Sequence, residues 1–580
     1  MSTPIDWPRW QRYRLTVEDC LREGFAPFKV PGGKGSSIRE AERRLVADGT
    51  IVTSPKNTST MAQWVRSQMS RAARGQPNEL PDWSLYKAGP RVLAVPQASG
   101  PARRFLFTAA QNDCEIHHGF WANLRAYAAH LDAEIVVAPF TYQLSVVRER
   151  ARAEAGTPEE RRLARERNPT WAGEIVPYLR KEPLDLGRLV FFCDMNILPT
   201  AKAPLSDLDT HSRGRWAVFP HAKVALKTVA AADDPPVICT TGAVTVDDYT
   251  DTKAGIKAVF HHVIGATLVE IDQAGGVFLR QINATADGSF QDLDAVVKSG
   301  RVTRGNRVEA ITFGDIQSPF LDPAVALGTF GFDVQAWAPA IGGPSSMLDS
   351  LRPRHGFIHD LCDNKPISHH DEKKTIERFR AYAAGDHAIE PHIAQAARFL
   401  AAIGRDWMQT VAIESNHDKW LDRWLDRADH RKDRDNARTY LRWELARHEA
   451  VQAGDEEFSI WRHALREALP DGLDGVTFVR EGGSYIICHE AGGIECGAHG
   501  HLGPNGARGA PSALARVSGK ANFGDKHAPQ IIDGAYFAGT SSLLRMGYNI
   551  GPSSWRHGHI VTYANGKRTL VMMHGEKWRA

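Results

Sequence analysis

A chain of 580 residues with 42% hydrophobic and 24% charged side chains exceeds what one hydrophobic core normally organises, and this balance excludes a largely disordered or fibrous protein. Its 71 basic and 68 acidic residues leave a net charge of only +3, so bulk attraction to a polyanion is excluded and any nucleic-acid surface must be local. Seven cysteines without a CxxC pair argue against a disulfide framework or a thiolate zinc cluster, and the lack of an N-terminal apolar h-region or a membrane-length apolar run predicts a soluble, cytoplasmic protein with no membrane segment.

Residues 1–80 read as a small helical region resembling a helix-turn-helix. A helical pattern at 36–46 is broken by Asp48-Gly49 and resumes at 58–70, with Met61, Trp64, Val65 and Gln68 at helical spacing. Arg66, Arg71 and Arg74 give the second helix a basic face that fits a phosphate backbone, although a plain helical hairpin has the same pattern. The segment 32–36 (GGKGS) lacks the spacing of a phosphate loop and reads as a connector. Residues 76–90, rich in proline and polar side chains, read as a linker.

Residues 90–300 alternate short apolar strands with helical segments, which predicts an α/β domain. The candidate strands are 104–108, 134–138, 189–193, 236–240 and 266–271. Polar clusters such as Gln111-Asn112-Asp113 and Thr240-Thr241-Gly242 stand at strand ends, where open sheets carry sites and where ordinary turns also occur. Composition gives this region no role.

Beyond residue 305 the chemistry concentrates. An apolar run at 308–313 leads into Gly314-Asp315-Ile316-Gln317, another at 356–358 into His359-Asp360-Leu361-Cys362-Asp363, and a third at 410–413 into Glu414-Ser415-Asn416-His417-Asp418. Two later clusters are Gly497-Ala498-His499-Gly500-His501 and Phe523-Gly524-Asp525-Lys526-His527. A lone histidine or an Asn-His-Asp loop is more often structural than catalytic. Five such clusters, three of them at strand ends, suit a binuclear metal site on a sheet edge.

In this order the clusters resemble the D-x-H, GDxxD, GNH[DE], lone-His and GHxH blocks of the calcineurin-like metallophosphoesterases. The resemblance covers roughly the last half of the chain, residues 305–580, and implies an α/β fold containing a β-sandwich flanked by helices, with a helical insertion near 418–468. It further implies that Asp315, Gln317, Asp360 and His527 hold one divalent cation and Asp360, Asn416, His499 and Asp525 the other, Asp360 bridging them. Two cations about 3.5 to 4 Å apart lower the pKa of a bridging water, so that hydroxide attacks phosphorus in line. His417 would protonate the leaving oxygen, with Asp418 orienting it.

Three positions depart from the family pattern: Gln317 replaces histidine, His359 replaces glycine, and Asp525 replaces the first histidine of the last block. An oxygen-rich site follows, which favours Mn²⁺, with Mg²⁺ also accommodated, over zinc. A second register remains open, with His489 as the lone histidine and His499/His501 as the terminal pair. The glycine-rich segment 503–509 paired with the Gly524 block resembles large phage members of the superfamily and favours the first register; a phage-borne gene would place the protein in the host cytoplasm. Asn505, Arg508, Lys526 and His501 are then candidate phosphate contacts, although Gly-Pro-Asn-Gly is also an ordinary tight turn.

DNA is the substrate favoured by the phage resemblance and the basic N-terminal helix, which makes the expected activity that of a deoxyribonuclease. A phosphoesterase for small esters would share every ligand. A DNA-binding or DNA-transfer protein with a degenerate site is the rival of another class, and a homo-oligomer is compatible with a chain of this size. Neither a GxSxG elbow nor a GxGxxG turn after a strand is present.

Overall fold

The computed structural model describes residues 44, 102–142, 157–158, 170–341, 345–368, 374–517, 519–547 and 549–580. Apart from Arg44, the helical pair and the linker expected before residue 90 lie outside the described residues. The described residues from 102 onward belong to one compact unit of mixed α/β structure with several sheets. Among them, no helix is long and apolar enough to cross a membrane.

All five strands expected between residues 90 and 300 are present, as Arg103–Gln111, Ala133–Phe140, Leu189–Phe191, Val237–Thr240 and Gly265–Ile271. They divide between two sheets. The first, second and fifth join Val277–Asn283 in a four-stranded sheet, while the third and fourth enter a ten-stranded sheet. That larger sheet takes strands from both sides of residue 300: Leu226–Thr228 pairs antiparallel with Gln530–Ile532, placing Ile531 opposite Leu226. Phe107, Val218, Val269, Ile531, Leu570 and Met572 consequently share one apolar core. Beside the four-stranded sheet, the buried Arg280 guanidinium donates to both oxygens of Asp292 at 2.8 and 3.0 Å and to Glu270 at 2.7 Å. Truncating one partner of such a buried ion pair costs about 3–5 kcal/mol.

The sheet that carries the first three clusters has six strands. Ala310–Thr312, His355–His359, Gln409–Ile413 and Val476–Val479 run parallel, and Gly558–Thr562 and Arg568–Met572 close it as an antiparallel hairpin beside the first. Parallel neighbours require long crossovers, and helices supply them: Pro323–Phe330, Ile389–Ala402 and the set Trp420–Arg427, Ala437–Gln452 and Ile460–Ala468. That last set occupies the stretch near 418–468 that was expected to be helical. Its Trp424, Trp443 and Trp461 are buried in the core, each burial worth a few kcal/mol.

Strand side chains alternate faces with period two. Ile311, Ile358, Ala412, Val561 and Val571 pack under the helices. On the other face Ala310, Phe357, Val411 and Ile413 meet Ile487, Ile494 and Cys496, while Ile560 and Leu570 meet Ile531 and Tyr536 of the ten-stranded sheet. Since the parallel strands all end on one edge, the loops after Thr312, His359 and Ile413 emerge together there.

Candidate metal centre

The loops after Thr312 and His359 remain zipped beyond their strands. Ile316 N–H donates to His359 O at 3.1 Å, Gln317 N–H to Asp360 O at 2.7 Å and Ser318 N–H to Leu361 O at 3.0 Å. These bonds bring the Asp315 and Asp360 loops side by side. The last cluster reaches the same place because position 524 is glycine: a Cβ there would collide with Asp315 Oδ1 and lie 3.0 Å from His359 Cβ. Gln317, Asp360, Asp525 and His527 all have left-handed backbone, with φ of 45°, 51°, 66° and 54°. Such conformations cost of order 1–3 kcal/mol each and persist where the surroundings over-determine them, which is typical of functional loops.

Ligand atoms of Asp315, Asp360 and His499 lie within 4.8 Å of one another, and all three residues are buried. Among the described residues no other trio of His, Cys, Asp or Glu converges in this way. Both Asp315 oxygens, Asp360 Oδ1, Asn416 Oδ1 and His499 Nε2 are buried without a hydrogen-bond partner. His527 Nε2 is 2.9 Å from Asp315 Oδ2. His499 Nε2 is 3.8 Å from Asp525 Oδ1, and Asp525 Oδ2 pairs with Lys526.

Burial pushes the Asp315 and Asp360 carboxyls above the ordinary carboxylate range, and it pushes His359 down to about 4 and His499 well below 6.5. The two carboxyls thus share the site with the neutral imidazoles of His359 and His499, and unused lone pairs converge there. Unpaired buried charge is costly, and a cation is what this donor set fits. Asp315, Asp360 and His499 are the residues whose donors converge as a divalent metal would need, with Asp525 and His527 beside them.

Gln317 is placed differently from a ligand. Its Oε1 accepts from Ser542 Oγ at 2.9 Å, and its Nε2 donates to Asp360 Oδ2 at 3.0 Å. The amide is bonded at both ends, its nitrogen holding Asp360. Asp418 also has another role than the one expected. Its carboxylate accepts from Cys362 N–H at 3.2 Å and Ser415 N–H at 3.0 Å, tying two loops together, and burial raises it to about 8. The carboxylate facing His417 is Asp363, with Oδ1 at 3.3 Å from Nδ1, and the Trp420 ring stacks on the imidazole at 4.4 Å. Burial would lower His417, but Asp360 and the hydrogen bond that the imidazole donates to Asp363 outweigh it and hold the imidazole at about 10.

The remaining candidates lie outward. His501 Nε2 is 2.7 Å from Glu481 Oε1, and its ring stands 5.4 Å from that of His499. Asn505 and Arg508 are exposed on a turn closed by Gly503 N–H to Ala507 O at 2.6 Å and Gly509 N–H to His501 O at 2.8 Å. His489, needed by the alternative register, is exposed, whereas Asp525 and His527 reach the buried cluster.

Over 482 residues the chain is 32% identical to Protein A1 of Escherichia phage T5, spanning 81% of this chain and 81% of that protein. It belongs to the family of that phage protein. No family model matches the chain. Within this A1-type sequence, sequence reasoning left Asp363, Trp420 and Ser542 without roles. Asp363 was visible as the second carboxylate of its block, whereas Ser542 lies far from Gln317 in the chain and had no local signal.

Proposed function

We propose that this protein is a metal-dependent phosphodiesterase that hydrolyses DNA, built on a calcineurin-like arrangement of ligands at the edge of the six-stranded sheet. The observation that carries this reading is the convergence of Asp315, Asp360 and His499, buried, with donor atoms lacking protein partners. On this reading Asp315, Asp360, Asn416, His499, Asp525 and His527 would hold the cations. Divalent cations bound there, Mn²⁺ by preference for this oxygen-rich set and Mg²⁺ as an alternative, supply Lewis acidity that acidifies water and neutralises phosphate charge.

The chain's own groups do the rest. Gln317 fixes the Asp360 carboxylate by donating to Oδ2. His417, held by Asp363 and Trp420, is placed beside Asn416 to give its proton to the leaving oxygen. Lys526 and, further out, Arg508 and Asn505 are suited to contact phosphate. DNA is chosen as substrate from the resemblance to a DNA-degrading, DNA-transfer protein of T-odd coliphages and from the A1-type family membership.

The test is degradation of linear and circular double-stranded DNA by purified protein with Mn²⁺, Mg²⁺, Zn²⁺ or EDTA, alongside Asp360→Ala and His417→Ala. Metal-dependent cleavage lost in both variants is the expected result. Hydrolysis of bis-p-nitrophenyl phosphate without DNA cleavage would replace the substrate by a small phosphoester. Inertness toward both would leave a DNA-binding or DNA-transfer protein with a degenerate centre.

A further inference from the structure

We propose that His359, which occupies a position where the resembled family has glycine, is a positioning residue that sets the tautomer of His499; this rests on the metal reading above. His359 ends the strand His355–His359 and is fully buried. Its Nδ1 is 3.4 Å from His499 Nδ1, the rings 5.5 Å apart and tilted by 27°. The missing side chain at Gly524 leaves the room that the His359 ring occupies.

A nitrogen pair at this distance requires one N–H and one lone pair, because two lone pairs or two protons would repel. If His359 donates, the His499 proton sits on Nε2, which then has no lone pair for a cation. When His359 accepts, His499 carries its proton on Nδ1, and Nε2, buried and without a partner, presents a lone pair toward the side where Asp525 Oδ1 lies 3.8 Å away. Only the second arrangement makes His499 a ligand. His359 then keeps its own proton on Nε2, also buried and unpartnered. Fixing a ligand histidine through its second nitrogen is a recognised way of raising affinity, here done by another imidazole instead of a carboxylate or carbonyl.

The measurement is Mn²⁺ binding to the full chain by calorimetry, for the wild type, His359→Asn, His359→Gln and His359→Leu, with thermal melts to confirm folding. An asparagine Oδ1 stands near the position of the imidazole Nδ1, whereas the glutamine carbonyl reaches the position of Nε2. The expected result is near-wild-type affinity for His359→Asn and a loss of about 10- to 100-fold for His359→Gln and His359→Leu. Equal affinity across the folded variants would overturn the role of His359. Should His359→Leu fail to fold, the Asn/Gln pair decides in the same way. Absence of Mn²⁺ binding by the wild type would instead overturn the metal reading on which this role rests.

Discussion

His527 Nε2 stands 2.9 Å from Asp315 Oδ2, joining the first and the last of the ligand-bearing loops. The Asp315 carboxyl is fully buried, so this imidazole meets it away from water. Asp315→Asn and His527→Ala are therefore expected to lower Mn²⁺ affinity by more than about 100-fold, beyond what loss of an outer-shell contact produces. Calorimetric titration checks this, and wild-type affinity in both variants would remove these residues from the centre.

Stability should follow metal. The unpaired donors of Asp315, Asp360, Asn416 and His499 are buried only when the chain is folded. A cation that binds the native state alone stabilises it by about 2.7 kcal/mol at a hundred times its dissociation constant. Mn²⁺ is expected to raise the melting temperature and EDTA to reverse the gain, with no gain in Asp360→Ala. A melting curve indifferent to Mn²⁺ would contradict the donor assignment.

Asp363 and Asp418 should separate cleanly. Asp363→Asn weakens the grip on His417 and is expected to lower kcat by about 100-fold or more while leaving Mn²⁺ binding intact. Asp418→Ala leaves the N–H groups of Cys362 and Ser415 unpaired and is expected to destabilise the fold by about 1–3 kcal/mol for each. Kinetics and urea denaturation of both variants distinguish the roles; the reverse pattern would restore Asp418 as the partner of His417.

In metal-free protein, His417 should make stability depend on pH. Its folded value of about 10 lies above the unfolded 6.5, because Asp360 and Asp363 outweigh the effect of burial. The native state then holds the proton more tightly, so the contribution is fully present below pH 6.5 and is lost as pH rises to about 10. Bound cations offset the Asp360 charge and draw the window downward. Urea melts of EDTA-treated wild type and His417→Gln across this range should converge at the alkaline end. Parallel curves would exclude His417 as the source.

The first three clusters were legible because each is local: an apolar run that must be a strand, followed at once by side chains that a buried strand cannot hold. The five upstream strands were legible for the same reason. Sheet membership was not, since pairing Leu226 with Ile531 leaves no trace in either segment. Asn-His-Asp shows why a role could be misread. An aspartate that captures backbone N–H groups and one that orients a histidine have the same short-range signature, and only the fold reveals that Asp418 does the former. Gln317 is similar: its type is compatible with coordination, but Ser542 turns the amide so that nitrogen faces Asp360.

The Gln530–Ile532 strand follows directly on the loop that carries Asp525 and His527, and its neighbour across the sheet is Leu226–Thr228. During synthesis the earlier strand therefore waits, with an open edge, for a partner made some three hundred residues later. The hairpin flanking Ala310–Thr312 is later still, ending at Met572. A ribosome-bound chain thus has Asp315 and Asp360 in hand long before the strands around Asp525 and His527 exist. A partial chain therefore carries the first carboxyls of the cluster without the later residues that converge on them.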